Sequence, residues 1–345
     1  MEEGKLPLHL LDKILGEVET LPESIIQGPK VGADVAVIDF EKAIDRVKRF
    51  YHSQEKVYLV YKTDPITFPT PEPGKYAVIV NANDVVTSGA IPFGFNATII
   101  LPVGSSEKDV FKIQKGIQQE CDKNEIVILG GHTEFSSSVN TPVISGAMLG
   151  FVPKDYYVPR LITEGDVMLC VGWCTKEGIG IIASEGYRQL SKHMSKSSLD
   201  KLVELGSDIS VIDIALKINR KIHPGLMHDA TEGGVLGAIY ETISPFDFGI
   251  KLYSEKFPLT KETIKVCELL EVDPLRVISS GTLLVVTSKT KAKQILSNTT
   301  NEIPIKIIGE ITSKEEGITL DGNVVPPPGP DAIIDALRKL EEGDL

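Results

Sequence analysis

The 345-residue chain predicts a mixed α/β protein of two domains. Three observations carry that expectation. Strand-like apolar runs alternate with stretches of helical spacing along the whole chain. A joint rich in proline and charge, Pro153–Glu164, interrupts the pattern near its middle with Lys154, Asp155, Pro159 and Arg160. Each half also holds a strand that meets a Gly-Gly element carrying His, Thr and Glu. The domains are accordingly placed at 1–153 and 154–345.

In the first domain, Leu8, Leu11, Ile14, Leu15 and Val18 recur at helical spacing, so a helix is expected over Leu6–Leu21. Gly28–Asp34 reads as a glycine-bearing loop, and Val35–Asp39 and Val57–Lys62 as strands. Tyr76–Ser88 is largely apolar and predicts a buried helix, closed by Gly89. Phe93–Leu101 follows as a strand and Glu107–Asp122 as an amphipathic helix. Glu125–Leu129 is a short strand running into Gly130–Glu134, and Pro142–Val152 is the last strand.

The second domain opens with a strand at Asp166–Trp173, and Gly178-Ile179-Gly180 enters a helix. Val211–Ile222 is helical and Leu226–Met227 a short strand. His228–Gly234 reads as a polar, glycine-rich turn that opens the helix Val235–Ile243. Strands are expected near Gly249–Tyr253, Gly281–Thr287 and Ile303–Ile311. Pro326–Pro330 is a stiff turn before a closing surface helix, Asp331–Glu341.

Composition narrows the function. A formal net charge of −12 argues against a nucleic-acid surface, which needs clustered Lys and Arg. An acidic chain can still bind nucleotides through a divalent cation that bridges carboxylates to phosphates. No apolar run approaches the roughly 20 residues of a membrane span, and the start Met1-Glu2-Glu3-Gly4-Lys5 is not a signal-peptide core. Cys121, Cys170, Cys174 and Cys267 form no Cys-x-x-Cys pair, which favours core packing over a metal or disulfide pair. A reducing, cytoplasmic compartment is expected.

Chemistry concentrates in a few clusters. Asn83 and Asp84 sit among Ala and Val on an apolar helix, where ionised carboxylates are rare unless paired, hydrogen-bonded or on a metal, and Asp34 and Asp64 mark two further clusters. Gly130-Gly131-His132-Thr133-Glu134 is a fourth cluster, of a type that lets backbone approach phosphate. The Walker and Gly-x-Gly-x-x-Gly signatures are missing, and so is the Gly-x-Ser-x-Gly elbow of a serine hydrolase. His132 and His228 each stand beside an acid and a Thr. They read as hydrogen-bonded histidines, with zinc the alternative.

Taken in order, these pieces resemble the PurM-like superfamily. It includes AIR synthase, thiamine monophosphate kinase, selenophosphate synthetase and the hydrogenase maturation protein HypE. The resemblance is carried by Gly32–Ile38, Lys62-Thr63-Asp64, Asn83–Pro92, Gly130–Glu134, Gly165-Asp166, His228–Gly234 and Ser280–Leu284. The blocks Asn83–Pro92 and His228–Gly234 look most like HypE. The resemblance implies a two-domain fold, with N-terminal domains pairing into a β-barrel in a homodimer and a C-terminal α/β sandwich. It also implies Mg-ATP as cofactor. Asp34, Asp64, Asp84 and Glu134 would then hold Mg²⁺. Lys30, Gly32, Lys62, Thr63, Asn83, Gly130, Gly131, His132 and Thr133 would bind the nucleotide. On the C-terminal side, Thr231, Gly233 and Gly234 would bind as well, and His228 and Asp229, with Asp64, would carry the catalysis. The family's shared chemistry uses the γ-phosphate to turn a substrate oxygen into a leaving group, with the metal stabilising charge.

Departures shape the reaction expected. HypE ends in a cysteine that carries its substrate, whereas this chain ends Glu342-Gly343-Asp344-Leu345 with no Cys after Cys267. Self-modification of a tail cysteine is therefore not expected. Selenophosphate synthetases use an early Cys, and the first here is Cys121. Ala33 and His132 stand where relatives carry acids, which thins the metal site. Two readings follow: an ATP-dependent enzyme acting on a small substrate, or a non-catalytic nucleotide-binding dimer that serves as a partner in a maturation or regulatory complex.

Overall fold

The computed structural model describes residues 1–16, 21–67, 70, 72–297 and 303–343, in two compact units, Met1–Tyr157 and Val158–Leu345. In the first unit the elements run β1 (Gly4–Lys5), α1 (Leu8–Gly16), β2 (Ile25–Gln27), β3 (Val37–Ile38), α2 (Phe40–Tyr51), β4 (Val57–Ile66), α3 (Pro73–Thr87), β5 (Ile91–Pro102), α4 (Glu107–Lys123), β6 (Val127–Ser136) and β7 (Val143–Pro153). Five of the strands form one sheet in the order β1-β6-β5-β7-β4. Within it β5 and β6 are parallel and the other neighbours antiparallel.

Helix α3 is the centre of this unit. Ala77, Val78, Ala82 and Val86 are fully buried, and the helix packs on β4, β5, β7 and α4. A helix apolar on all sides has to be enclosed, so the reading of a buried helix holds. Along β4, side chains alternate between two faces. Tyr58, Val60, Lys62 and Asp64 are partly shielded, while Leu59 and Tyr61 are 55% and 63% exposed.

Several sequence expectations are corrected here. The strand expected to end at Lys62 runs on through Asp64 and Pro65 to Ile66. Proline is tolerated because β4 ends the sheet and has one partner, β7. Likewise the strand expected to end at Leu129 runs on, so that Gly130–Glu134 is the middle of β6, paired with β5 as far as Pro102↔Ser136. Helix α2 was not read from the sequence, because six charged residues mask its buried stripe of Ala43, Ile44, Val47 and Tyr51. The N-terminal helix begins at Leu8, and residues 17–20 of its expected span lie outside the described residues.

The second unit runs β8 (Val167–Val171), α5 (Lys176–Glu185), α6 (Tyr187–Leu190), α7 (Lys196–Ser207), α8 (Ile212–Ile222), β9 (Leu226–Ala230), α9 (Gly234–Ile243), β10 (Phe248–Leu252), α10 (Lys261–Leu269), β11 (Thr282–Thr287), α11 (Lys289–Leu296), β12 (Ile305–Ser313), β13 (Ile318–Leu320), β14 (Asn323–Val324) and α12 (Ala332–Glu342). Its seven-stranded sheet has the order β14-β13-β10-β12-β8-β11-β9. One core lies between the sheet and α9, around Met168, Leu284, Ile239 and Ile308. Another joins α5, α7, α10 and α12 through Ile182, Leu199, Val266 and Leu340. His228 and Asp229, expected in a turn, lie inside β9, opposite Leu284 and Leu283 of β11. All four cysteines are free and buried, and Cys170 Sγ lies 3.6 Å from Cys174 Sγ, as core packing predicts. Among the described residues no helix is long and apolar enough to cross a membrane.

Candidate functional site

In the first unit the sequence-predicted residues gather in three places. The first is the junction of β4 and α3. Lys62 and Asp64, two apart on the strand, share the face that meets α3, which carries Asp84. The Lys62 Nζ lies 2.9 Å from Asp84 Oδ2 and 3.6 Å from Asp64 Oδ2. Asn81, one helical turn before Asp84, donates from Nδ2 to the Asp64 carbonyl at 3.1 Å and to the Ala77 carbonyl at 2.8 Å. Gly146, across from Asp64 on β7, makes room for this. A Cβ there would collide with the Asn81 amide and the Phe95 ring. Burial raises the Asp64 pKa, the Lys62 ammonium opposes that rise, and the Asp84 charge adds to it. Thr63 points to the opposite face and donates to the Gly146 carbonyl at 2.7 Å, while Asn83 is fully buried.

The second place is a cleft of about 700 Å³ between the segment joining β2 to β3 and strand β6. Lys30, Gly32 and Asp34 line one wall, and Gly130, Gly131, His132 and Thr133 the other. Gly131 is required at its position, since a Cβ would stand 2.5 Å from the Ala97 carbonyl oxygen. Thr133 faces α4, where Gln114 Nε2 donates to its hydroxyl at 3.4 Å.

Third, His132 and Glu134 project from the other face of β6, in register with Thr98 and Ile100 of β5. Their Nε2 and Oε2 atoms are 3.0 Å apart. The four acids expected on one metal therefore divide within a single chain: Asp64 with Asp84, Asp34 in the cleft, and Glu134 with His132. Among the described residues no three His, Cys, Asp or Glu side chains are grouped to hold a metal. Two carboxylates suffice for Mg²⁺ only where phosphate oxygens and water complete its shell. The Asp64–Asp84 pair, closed around one cation, fits that role. A larger hollow of about 810 Å³, bordered by α2 and the start of β6, contains none of the expected residues.

In the second unit, β9 delivers His228 and Asp229 and then turns into α9. Asp229 is buried, whereas His228 is partly exposed with Nε2 4.0 Å from Glu241 Oε2. The turn is held by backbone hydrogen bonds: the Thr231 carbonyl accepts from Gly234 N at 3.1 Å and Ser279 N at 3.2 Å. Gly233 and Gly234 have φ of +79° and +68°, and a Cβ on Gly234 would strike the backbone of Leu275 and Arg276.

Asp331 anchors this turn, a role the sequence did not reveal. Its buried carboxylate accepts from Gly233 N (2.7 Å), Ile278 N (3.1 Å) and Ile333 N (2.8 Å). An Asp before a helix signals the Ile333 cap, but nothing in the sequence points to Gly233. Glu177 was missed too. Burial raises its pKa, a hydrogen bond from Ser280 opposes this, and Asp331 adds to the rise.

Comparison with known proteins matches this arrangement to one family. Residues 32–152 match the AIR synthase related protein N-terminal domain, and residues 163–321 the corresponding C-terminal domain. A putative hydrogenase expression/formation protein of Methanocaldococcus jannaschii is 26% identical over 312 residues, covering 88% of this chain and 90% of that protein. The carbamoyl dehydratase HypE of Escherichia coli is 28% identical over 298 residues, covering 84% and 83%. Its crystal structure aligns with a TM-score of 0.78 at 23% identity, over 96% of this chain and all of that one. A crystal structure of the hydrogenase maturation protein HypE in complex with ATP aligns with a TM-score of 0.66 at 17% identity, over 87% and 96%. With a two-domain PurM-like fold and both domain matches in order, the chain belongs to the AIR synthase related proteins and is similar to HypE.

Proposed function

We propose that this protein is an ATP-dependent enzyme of the HypE type that activates the oxygen of a small carboxamide or carbamoyl group. The observation that carries the proposal is the convergence of Asp64 and Asp84 on one cation at the β4–α3 junction. The relative named carbamoyl dehydratase and the HypE–ATP complex support the substrate class and the nucleotide. Removing water from an amide in water needs coupling. Transfer of the γ-phosphoryl to the amide oxygen makes that oxygen leave as phosphate, and loss of both N–H protons leaves a C≡N group. Mg²⁺, held by Asp64 and Asp84 with phosphate oxygens, would supply charge stabilisation.

Within this reading the chain's own groups have separate tasks. Lys30, Gly32, Asp34 and Gly130–Thr133 shape the cleft that receives the nucleotide. His228, the partly exposed imidazole of β9, takes a proton from the amide nitrogen, and Asp229, the next residue of the strand, is buried on its opposite face. Thr231, Gly233 and Gly234 bind the second substrate through the rigid turn.

We further infer a homodimer. Leu59 and Tyr61 are exposed on the sheet face turned away from α3, and Ala147 and Leu149 are partly exposed on the same face. A second copy laid on it would close a barrel, remove the unpaired edges and complete an acid set that one chain leaves divided.

Calorimetric titration of ATP and a non-hydrolysable analogue, with and without Mg²⁺, tests the reading. Mg-dependent binding that weakens about tenfold or more in Asp64→Asn is expected. Equal affinity of wild type and variant would reject Asp64. Lys62 already occupies the acid pair, which favours a second reading of nucleotide binding without turnover. Phosphate release from ATP on adding small primary carboxamides or carbamoyl compounds separates the two.

A further inference from the structure

The ammonium of Lys62 stands where a cation shared by Asp64 and Asp84 would stand. We propose that Lys62 is a tethered counter-ion that competes with the divalent cation for this acid pair. Metal then enters only when the ammonium leaves. This rests on the reading of the pair as the cation site of the nucleotide.

The geometry makes the lysine the movable member. Asp64 is fixed by the β4–β7 ladder and by Asn81, which ties its carbonyl to α3. Asp84 is fixed by the buried helix that carries it. Lys62 instead reaches the pair through a flexible four-carbon stem. The three side chains are 36%, 42% and 25% exposed for Lys62, Asp64 and Asp84, so solvent cations reach them and the ammonium has somewhere to go. Once it swings out, two carboxylates face each other, a state that raises their energy until another cation arrives. A phosphate beside the site gives the displaced ammonium a new partner. Metal and nucleotide are thereby made to bind together, and metal alone binds weakly.

Mn²⁺ titration followed by electron paramagnetic resonance, on the full chain without nucleotide, tests this directly. Lys62→Met is expected to bind Mn²⁺ about tenfold or more tightly than wild type, with Lys62→Arg staying close to wild type. Thermal scans at matched ionic strength add a second readout: Mg²⁺ raises the melting temperature of Lys62→Met and leaves wild type unchanged. Lys62→Gln is carried in parallel, because it keeps part of the stem and two N–H donors. A variant that is recovered folded only with Mg²⁺ present also supports the proposal. Met and Gln variants that bind Mn²⁺ no more tightly than wild type overturn it, as does failure of both to fold with or without Mg²⁺. If the Mn²⁺ gain appears but ATP does not bind wild type, the nucleotide reading fails and the counter-ion role stands.

Discussion

The junction of β4 with α3 and the turn from β9 into α9 both bring acids to the end of a strand, but they hold them differently. At the first, charge meets charge: Lys62 bridges Asp64 and Asp84, all three reachable by solvent. At the second, the Asp331 carboxylate is buried and spends itself on three backbone N–H groups, with no cation beside it among the ion pairs of the described residues. Such a carboxylate is a structural acceptor, because its partners cannot move without unfolding the loops that carry them. The ion pair is exchangeable, since one cation can replace another. The first site is thus built to respond to ions and the second to stay in place.

The largest expected effect breaks the second site. Asp331→Ala leaves three backbone donors without their acceptor, and a loss of about 3 kcal/mol or more in urea unfolding is expected. Asp331→Asn, which keeps one acceptor oxygen, should lose clearly less. A cost below about 1 kcal/mol for the alanine variant would mean that water replaces the carboxylate, and the contrast drawn here would fail. Next in size is Gly146→Ala at the first site. The added methyl meets the Asn81 amide and the Phe95 ring, so about 1–3 kcal/mol is expected by the same measurement. Because Asn81 ties Asp64 to α3, this variant should also weaken Mg-ATP binding, which calorimetry would read.

How much of this was legible in the sequence depended on the range of the signal. The apolar helix α3 and the order of the motifs carry their information locally, and both were read correctly. The Lys62-Thr63-Asp64 and Gly130–Glu134 segments were placed at strand ends because Pro65 and two adjacent glycines resemble breaks. Pairing to β7 and β5 overrode that local preference. The alternation of a strand then sent His132 and Glu134 to one face and Gly131 and Thr133 to the other, a split that a strand ending at Leu129 cannot show. Asp331 and Gly233 are 98 residues apart, and no periodicity links them. Gly146 needed the position of Asn81 before its lack of a side chain made sense.

The smallest expected effect sharpens the comparison through pH. Burial raises the pKa of both Asp64 and Glu177, so each binds its proton more readily in the folded chain than in the unfolded one. The stability each contributes is fully present below its ordinary value, 3.8 for Asp64 and 4.5 for Glu177, and is lost as pH rises through the raised folded value. Neighbours act both ways at each acid: Lys62 pulls the Asp64 pKa back down and Asp84 pushes it up, while Ser280 pulls the Glu177 pKa down and Asp331 pushes it up. Urea unfolding over a pH series should therefore show wild type losing stability relative to Glu177→Gln as pH rises from 4 towards neutrality. The corresponding change relative to Asp64→Asn should run in the same direction. Parallel curves for wild type and Glu177→Gln would place Glu177 in contact with water and remove the buried acid from the second unit. Parallel curves for wild type and Asp64→Asn would place Asp64 in water, away from Lys62 and Asp84, which would undercut the exchangeable site at its base.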